Sequence, residues 1–197
     1  LGCPFPMIAG KHKGAGMLLY PAQVAEVLAP IAEYPEIQFS LKMRLGWENA
    51  SECMVLVELL NTLRLSRIAL HARTGKQQYK GHPDLEAFQG FYELCQHPLY
   101  YNGDIESLSD IRQILTRFPL LKGVFIGRGL LSSPLLAKEF KGNETFLPEQ
   151  RMSIYFAFHE ELFSAYSQVL QGETQLLVKM KTLWEYFLPE TDRKILK

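Results

Sequence analysis

Only three cysteines, Cys3, Cys53 and Cys95, occur in the 197 residues, and they are odd in number, far apart and without C-x-x-C spacing. That pattern speaks against a disulfide framework and against a cysteine-built zinc site. Long apolar runs are missing as well. None approaches the ~18 residues of a membrane-spanning helix, and the start carries no signal-like pattern. Nor is there an excess of either charge: Lys and Arg total 21, Asp and Glu total 21. Net charge therefore attracts no particular partner, and any nucleic-acid surface must come from local clustering of cations. The expected compartment is a reducing cytosol. The chain starts at Leu1 and opens as though mid-structure, so further residues are expected upstream.

What is present is ordinary for a globular protein, with 47% apolar and 21% charged residues. The length suits one domain with a small appendage. Residues 21–34 carry apolar positions at helical spacing, with Pro30 placed to end or kink the helix. Residues 37–45 alternate like a strand ending at Gly46, and Asn49 or Ser51 is placed to cap a helix reaching about Arg64. A short strand over 67–70 follows, then a polar loop from His71 to Gly81, a helix over 85–94 and a strand over 98–101 stopping at Asn102-Gly103. Ser107 opens S-L-S-D, a candidate capping box, before a helix to about Arg117, a strand over 123–126 and the turn Gly127-Arg128-Gly129. Strands alternating with helices in this way indicate βαβ units and a parallel sheet.

Beyond Phe140 the alternation stops. A linker at 141–148 leads to an amphipathic helix over 149–171, Gly172 breaks it, and another helix spans 174–188. The expected division is an α/β body over 1–140 and a helical part over 141–197. Polar residues and glycines recur at the carboxyl end of each strand: Lys42 and Arg44, His71 and Arg73, Asn102 and Asp104, Gly127 and Arg128. Parallel α/β folds gather their ligands at that edge. Cys3, between Gly2 and Pro4, is expected on a turn at an element's end, followed by Lys11, His12 and Lys13. Each residue also has a structural reading: a small buried cysteine, a hydrogen-bonded histidine, solvated lysines, ordinary Asn-Gly and Gly-Arg-Gly turns.

The motifs taken together resemble the tRNA-dihydrouridine synthase family. They are G-C-P at 2–4, G-A-G-M-L-L at 14–19, L-K-M-R-L-G-W at 41–47, H-A-R-T-G-K-Q-Q-Y-K-G at 71–81, N-G-D-I at 102–105 and I-G-R-G at 126–129. The resemblance covers about residues 1–134 and implies the C-terminal half of a (β/α)8 barrel of TIM type, followed by a small all-helical domain that helps hold tRNA. Leu1 and Gly2 would end the strand before the four counted here.

The implied reaction is reduction of a tRNA uridine to 5,6-dihydrouridine, with hydride from reduced FMN to C6, a proton from Cys3 to C5, and NADPH or NADH as reductant. A mostly protonated thiol suits that acid role. By the same resemblance Lys42 and His71 attend the flavin, while Asn102, Gly103, Asp104, Gly127 and Arg128 surround its phosphate. An arginine fork and glycine-exposed N–H groups suit such a dianion; Asp104 cannot itself welcome one. Candidates for tRNA are Lys11, Lys13, Arg44, Arg73, Lys179 and Lys181, with Lys76 and Lys80 near the mouth. Ala72 stands where the family commonly has glycine, adding a methyl group beside the expected site. No metal, membrane or obligate protein partner is implied. Two other readings stay open: another FMN-dependent barrel oxidoreductase acting on a small molecule, and a noncatalytic RNA-binding module.

Overall fold

In the computed structural model, which describes residues 1–187, two short helices, α1 (Pro6–Ala9) and α2 (Pro21–Leu28), precede the first strand. Four strands then form one parallel sheet in sequence order: β1 (Phe39–Gly46), β2 (Leu65–Thr74), β3 (Leu99–Asn102) and β4 (Gly123–Phe125). Parallel neighbours need a crossover, and each is helical: α3 (Glu52–Thr62), α4 (Leu85–Leu94) and α5 (Leu108–Arg117).

Alternation along each strand gives the sheet two unlike faces. Leu41, Met43, Leu45, Ile68, Leu70, Leu99 and Tyr101 are buried on one of them. Helix α3 packs on β1 and α4 on β2, bringing Leu56, Leu60, Phe88 and Phe91 into the core. Phe88 meets Tyr101 and Phe118 edge-on, with ring centroids 5.0 Å apart in both pairs. Burying each such side chain contributes about 1.5–3 kcal/mol, so this layer holds the sheet flat against its helices. The other face carries two cross-strand rows, Lys42–Ala69–Tyr100–Gly123 and Arg44–His71–Asn102–Phe125.

Local details depart from the sequence pattern for physical reasons. The helix expected over 21–34 ends at Leu28 and continues as a 3-10 turn, Ala29–Glu33, because Pro30 has no N–H to donate. Strand β2 runs on through His71 to Thr74, where a loop was expected. Its polar residues face the polar side of the sheet, so their chemistry imitates a loop. Neither Asn49 nor Ser51 caps α3. Instead the Glu52 carboxylate accepts the main-chain N–H groups of Trp47 (2.6 Å), Glu48 (3.2 Å) and Asn49 (2.8 Å). The S-L-S-D box does form: Asp110 N–H donates to Ser107 Oγ at 3.2 Å, and Ser107 N–H donates to Asp110 Oδ2 at 2.8 Å.

The chain divides into two compact units, Leu1–Asp104 with Ile111–Phe125, and Ile105–Asp110 with the described residues from Ile126 onward. The boundary expected after residue 140 falls inside the second unit. That unit contains α6 (Arg128–Ser132), α7 (Leu136–Gly142), α8 (Pro148–Val169) and α9 (Glu173–Phe187). Leu136 and Met180 are buried in it, Arg151 pairs with the buried Glu139, and Ser133 Oγ lies 3.3 Å from Tyr155 Oη. Leu188, the end expected for the last helix, lies outside the described residues. No helix among the described residues is long and apolar enough to cross a membrane.

Candidate functional site

Cys3 is placed by β1. The main-chain nitrogen of Leu1 donates to the Lys42 carbonyl at 3.0 Å, and Arg44 Nε donates to the Gly2 carbonyl at 3.2 Å, so the first residues run beside that strand. The chain then turns through α1 and returns, with Ala15 N–H donating to the Cys3 carbonyl at 2.9 Å. Gly14 makes this closure possible. Its φ is +57°, and a Cβ there would sit 2.6 Å from the Cys3 carbonyl oxygen. Cys3 thus lies, half-buried and unpaired, at the neck of a closed loop. The loop exposes Lys11, His12 and Lys13 on its far side, and His12 stacks on Tyr20 at 4.3 Å.

On the polar face, Lys42 Nζ donates to Asn102 Oδ1 at 2.9 Å, and Asn102 Nδ2 donates to the Phe125 carbonyl at 2.8 Å. The two contacts fix which end of the amide is oxygen. Partial burial, then the charge of Arg44, lowers the Lys42 pKa. His71 stands between Arg44 and Asn102 in the register and is almost fully buried. Burial above all, helped by Arg44, Lys42 and Arg73 and opposed by Asp104, lowers its pKa to about 3. The imidazole is therefore neutral near pH 7. Its Nε2 is buried with no hydrogen-bond partner among the described residues. An orphaned ring nitrogen costs stability unless a ligand meets it, so this face is built to receive a polar group.

Arg44 and Arg73 differ from their expected place as cations offered to RNA, because both side chains are buried. Arg44 Nη1 donates to the carbonyls of Thr74 and Gln78, both at 2.8 Å. Arg73 donates to the carbonyls of Lys80 (3.3 Å) and Gly81 (2.5 Å), and grips Asp104 through Nη1 (2.7 Å) and Nη2 (2.5 Å). Together they clamp the loop after β2. Ala72 is fully buried in the protein's own packing. Tyr79 escaped the sequence reading although it lies within the motif at 71–81. It is 55% exposed, its ring centroid is 5.7 Å from the Arg44 guanidinium carbon and its ring is 6.5 Å from that of His71.

After β3, Gly103 has φ +148° and Asp104 φ +36°, a sharp departure of the chain from the sheet. A Cβ on Gly103 would meet Tyr101 Oη at 2.9 Å, which holds the position to glycine. Lys42, His71, Asn102, Gly103 and Asp104 are thereby gathered at one sheet edge with Cys3. Gly127 and Arg128, exposed at the start of α6, belong to the second unit. So do Lys179, whose Nζ lies 5.4 Å from the Tyr166 ring centroid, and the half-buried Lys181. Lys76 is paired with Glu48 at 2.6 Å, and Lys80 is exposed. No cluster of three or more His, Cys, Asp or Glu able to hold a metal occurs among the described residues.

The sequence model of the dihydrouridine synthase family matches residues 1–192. A probable tRNA-dihydrouridine synthase of Aquifex aeolicus is 35% identical over 144 residues, covering 71% of this chain and 45% of that protein. A probable tRNA-dihydrouridine synthase of Rhizobium leguminosarum is 30% identical over 135 residues, 68% of this chain and 42% of that protein. The tRNA-dihydrouridine synthase B of Vibrio vulnificus is 26% identical over 153 residues, 76% and 47% respectively. The chain spans about half the length of the curated relatives it matches.

Proposed function

The chain belongs to the dihydrouridine synthase family, and from that premise we propose that the protein reduces a uridine of tRNA to 5,6-dihydrouridine using FMN and a nicotinamide reductant. The sheet is then the C-terminal half of a (β/α)8 barrel, the helices α8 and α9 of the second unit help hold tRNA, and the setting is cytoplasmic. The single observation that carries the reading is the polar face. A buried, neutral His71 with an unmet Nε2 stands beside a lysine of lowered pKa. This donor set suits the polar edge of an isoalloxazine, which offers acceptors to both groups.

FMN would be held by Lys42, His71, Asn102, Gly103, Asp104, Gly127 and Arg128, and it supplies the hydride destined for C6 of the uridine. Lys42 brings positive charge to the flavin side of the site, where negative charge accumulates on reduction. Cys3, at the neck of its loop, holds the proton that its thiol delivers to C5, leaving a thiolate within the field of Arg44. Lys11 and Lys13, exposed on the same loop, meet the tRNA backbone close to the acid, and Lys179 and Lys181 on α9 are further tRNA contacts. An oxidoreductase acting on a small molecule has no use for cations flanking the acid, and this favours the tRNA substrate.

The test is the visible absorption spectrum of the full-length protein. A bound flavin bleached by NADPH or NADH and reoxidised by unmodified tRNA supports the reading. A colourless protein, or a flavin whose oxidation ignores tRNA, overturns it.

A further inference from the structure

An acid in a loop expected to face a phosphate is a contradiction that the structure resolves through Arg73. Asp104 follows directly on Gly103 at the sharp exit from β3, with φ +36°. Arg73, whose side chain is only 1% exposed, meets both of its carboxylate oxygens, at 2.7 and 2.5 Å, while the Asp104 side chain as a whole is 31% exposed. The same guanidinium also takes the carbonyls of Lys80 and Gly81. One buried cation thus neutralises the acid and ties the loop after β2 to the loop after β3. A planar fork making two parallel contacts fixes orientation as well as charge, which a lysine cannot do.

We propose that Arg73 is a positioning residue for the cofactor phosphate: by cancelling Asp104 and fixing the turn at 103–104, it lets that loop accept a phosphate dianion that Asp104 alone would repel. This rests on the flavin reading above. It assigns to Arg73 a role inside the protein in place of a contact with RNA.

FMN and riboflavin share an isoalloxazine and differ in the phosphate, so the ratio of their affinities isolates the phosphate from the rest of the site. Titration of each flavin into the full-length apoprotein, followed by fluorescence quenching, reads that ratio. Wild type is expected to prefer FMN. Arg73→Gln is expected to lose that preference by on the order of tenfold, because it uncovers a carboxylate near the phosphate. The double variant Arg73→Gln/Asp104→Asn is expected to regain most of it, since the charge needing cancellation is gone. Asp104→Asn alone, which leaves Arg73 in place and provides a readout should the arginine variants not fold, is expected to hold or raise the preference.

A wild type that binds neither flavin sinks the flavin reading itself. With wild type preferring FMN, three results overturn the inference alone: equal weakening of both flavins in Arg73→Gln, failure of the double variant to recover, or a fall in preference in Asp104→Asn.

Discussion

The Lys42 ammonium and the Asn102 side-chain oxygen lie 2.9 Å apart, and the same amide donates to the Phe125 carbonyl at 2.8 Å, so one asparagine joins the first, third and fourth strands. Asn102→Ala leaves the Lys42 ammonium without its acceptor and the part-buried Phe125 carbonyl without its donor. The expected cost is about 1–3 kcal/mol of folding stability, read as a lower urea midpoint at unchanged slope. An unchanged midpoint would mean that water replaces the amide on this face.

His71 makes a pH prediction whose sign follows from burial. Its folded pKa is about 3, against 6.5 for the ordinary imidazole. Between those values the unfolded chain binds more protons, so stability is full above pH 6.5 and falls as pH drops through the window toward 3. From pH 7 to pH 5 the loss due to His71 is about 2 kcal/mol. Urea unfolding at the two pH values, in wild type and His71→Gln, isolates it: the variant should lose that much less. Equal losses in both proteins would show that the imidazole is solvated in the folded state.

Gly14 closes the loop on which Cys3 sits. At φ +57°, with a new Cβ 2.6 Å from the Cys3 carbonyl and 2.9 Å from Cys3 Cβ, Gly14→Ala combines backbone strain with overpacking. A destabilisation of about 1–3 kcal/mol is expected, together with a changed rate of Cys3 alkylation by iodoacetamide. An alkylation rate equal to wild type would show that the loop does not set the thiol's surroundings.

The parallel sheet was legible because its strands and helices alternate with clear punctuation, and α4 was legible residue for residue. The end of β2 was not. Polar residues facing a polar sheet face carry no hydrophobic period, so His71, Arg73 and Thr74 read as a loop. Cys3, Lys42 and Asn102 could be named from their motifs, yet their mutual contacts could not. The Lys42–Asn102 bond spans sixty positions, and only the strand register creates it. The buried state of Arg44 and Arg73 was equally hidden, since composition makes an arginine a surface residue by default. A pair such as Arg73 with Asp104 appears only once two loops have been brought together. The apolar residues of the second unit showed their helical period but not their partners.

Cys3 separates an acid from a merely structural thiol, and the other two cysteines serve as internal controls. Burial pushes the Cys53 thiol up to about 12, and burial likewise raises Cys95, so neither yields a thiolate near neutral pH. Iodoacetamide should therefore modify Cys3 first, as peptide mapping by mass spectrometry can establish. Cys3→Ala keeps the main-chain bond from Ala15 N–H to the residue 3 carbonyl, so the loop should stay closed and flavin binding should survive. Removing a positioned proton donor lowers such a step by roughly 10²–10⁴-fold. In a single turnover, flavin reduced beforehand and mixed with unmodified tRNA should reoxidise more slowly by that factor in the variant, while reduction by NADPH or NADH keeps its wild-type rate. Reoxidation by tRNA at the wild-type rate would remove Cys3 from the role of acid and require the proton to come from another group at the mouth of the sheet.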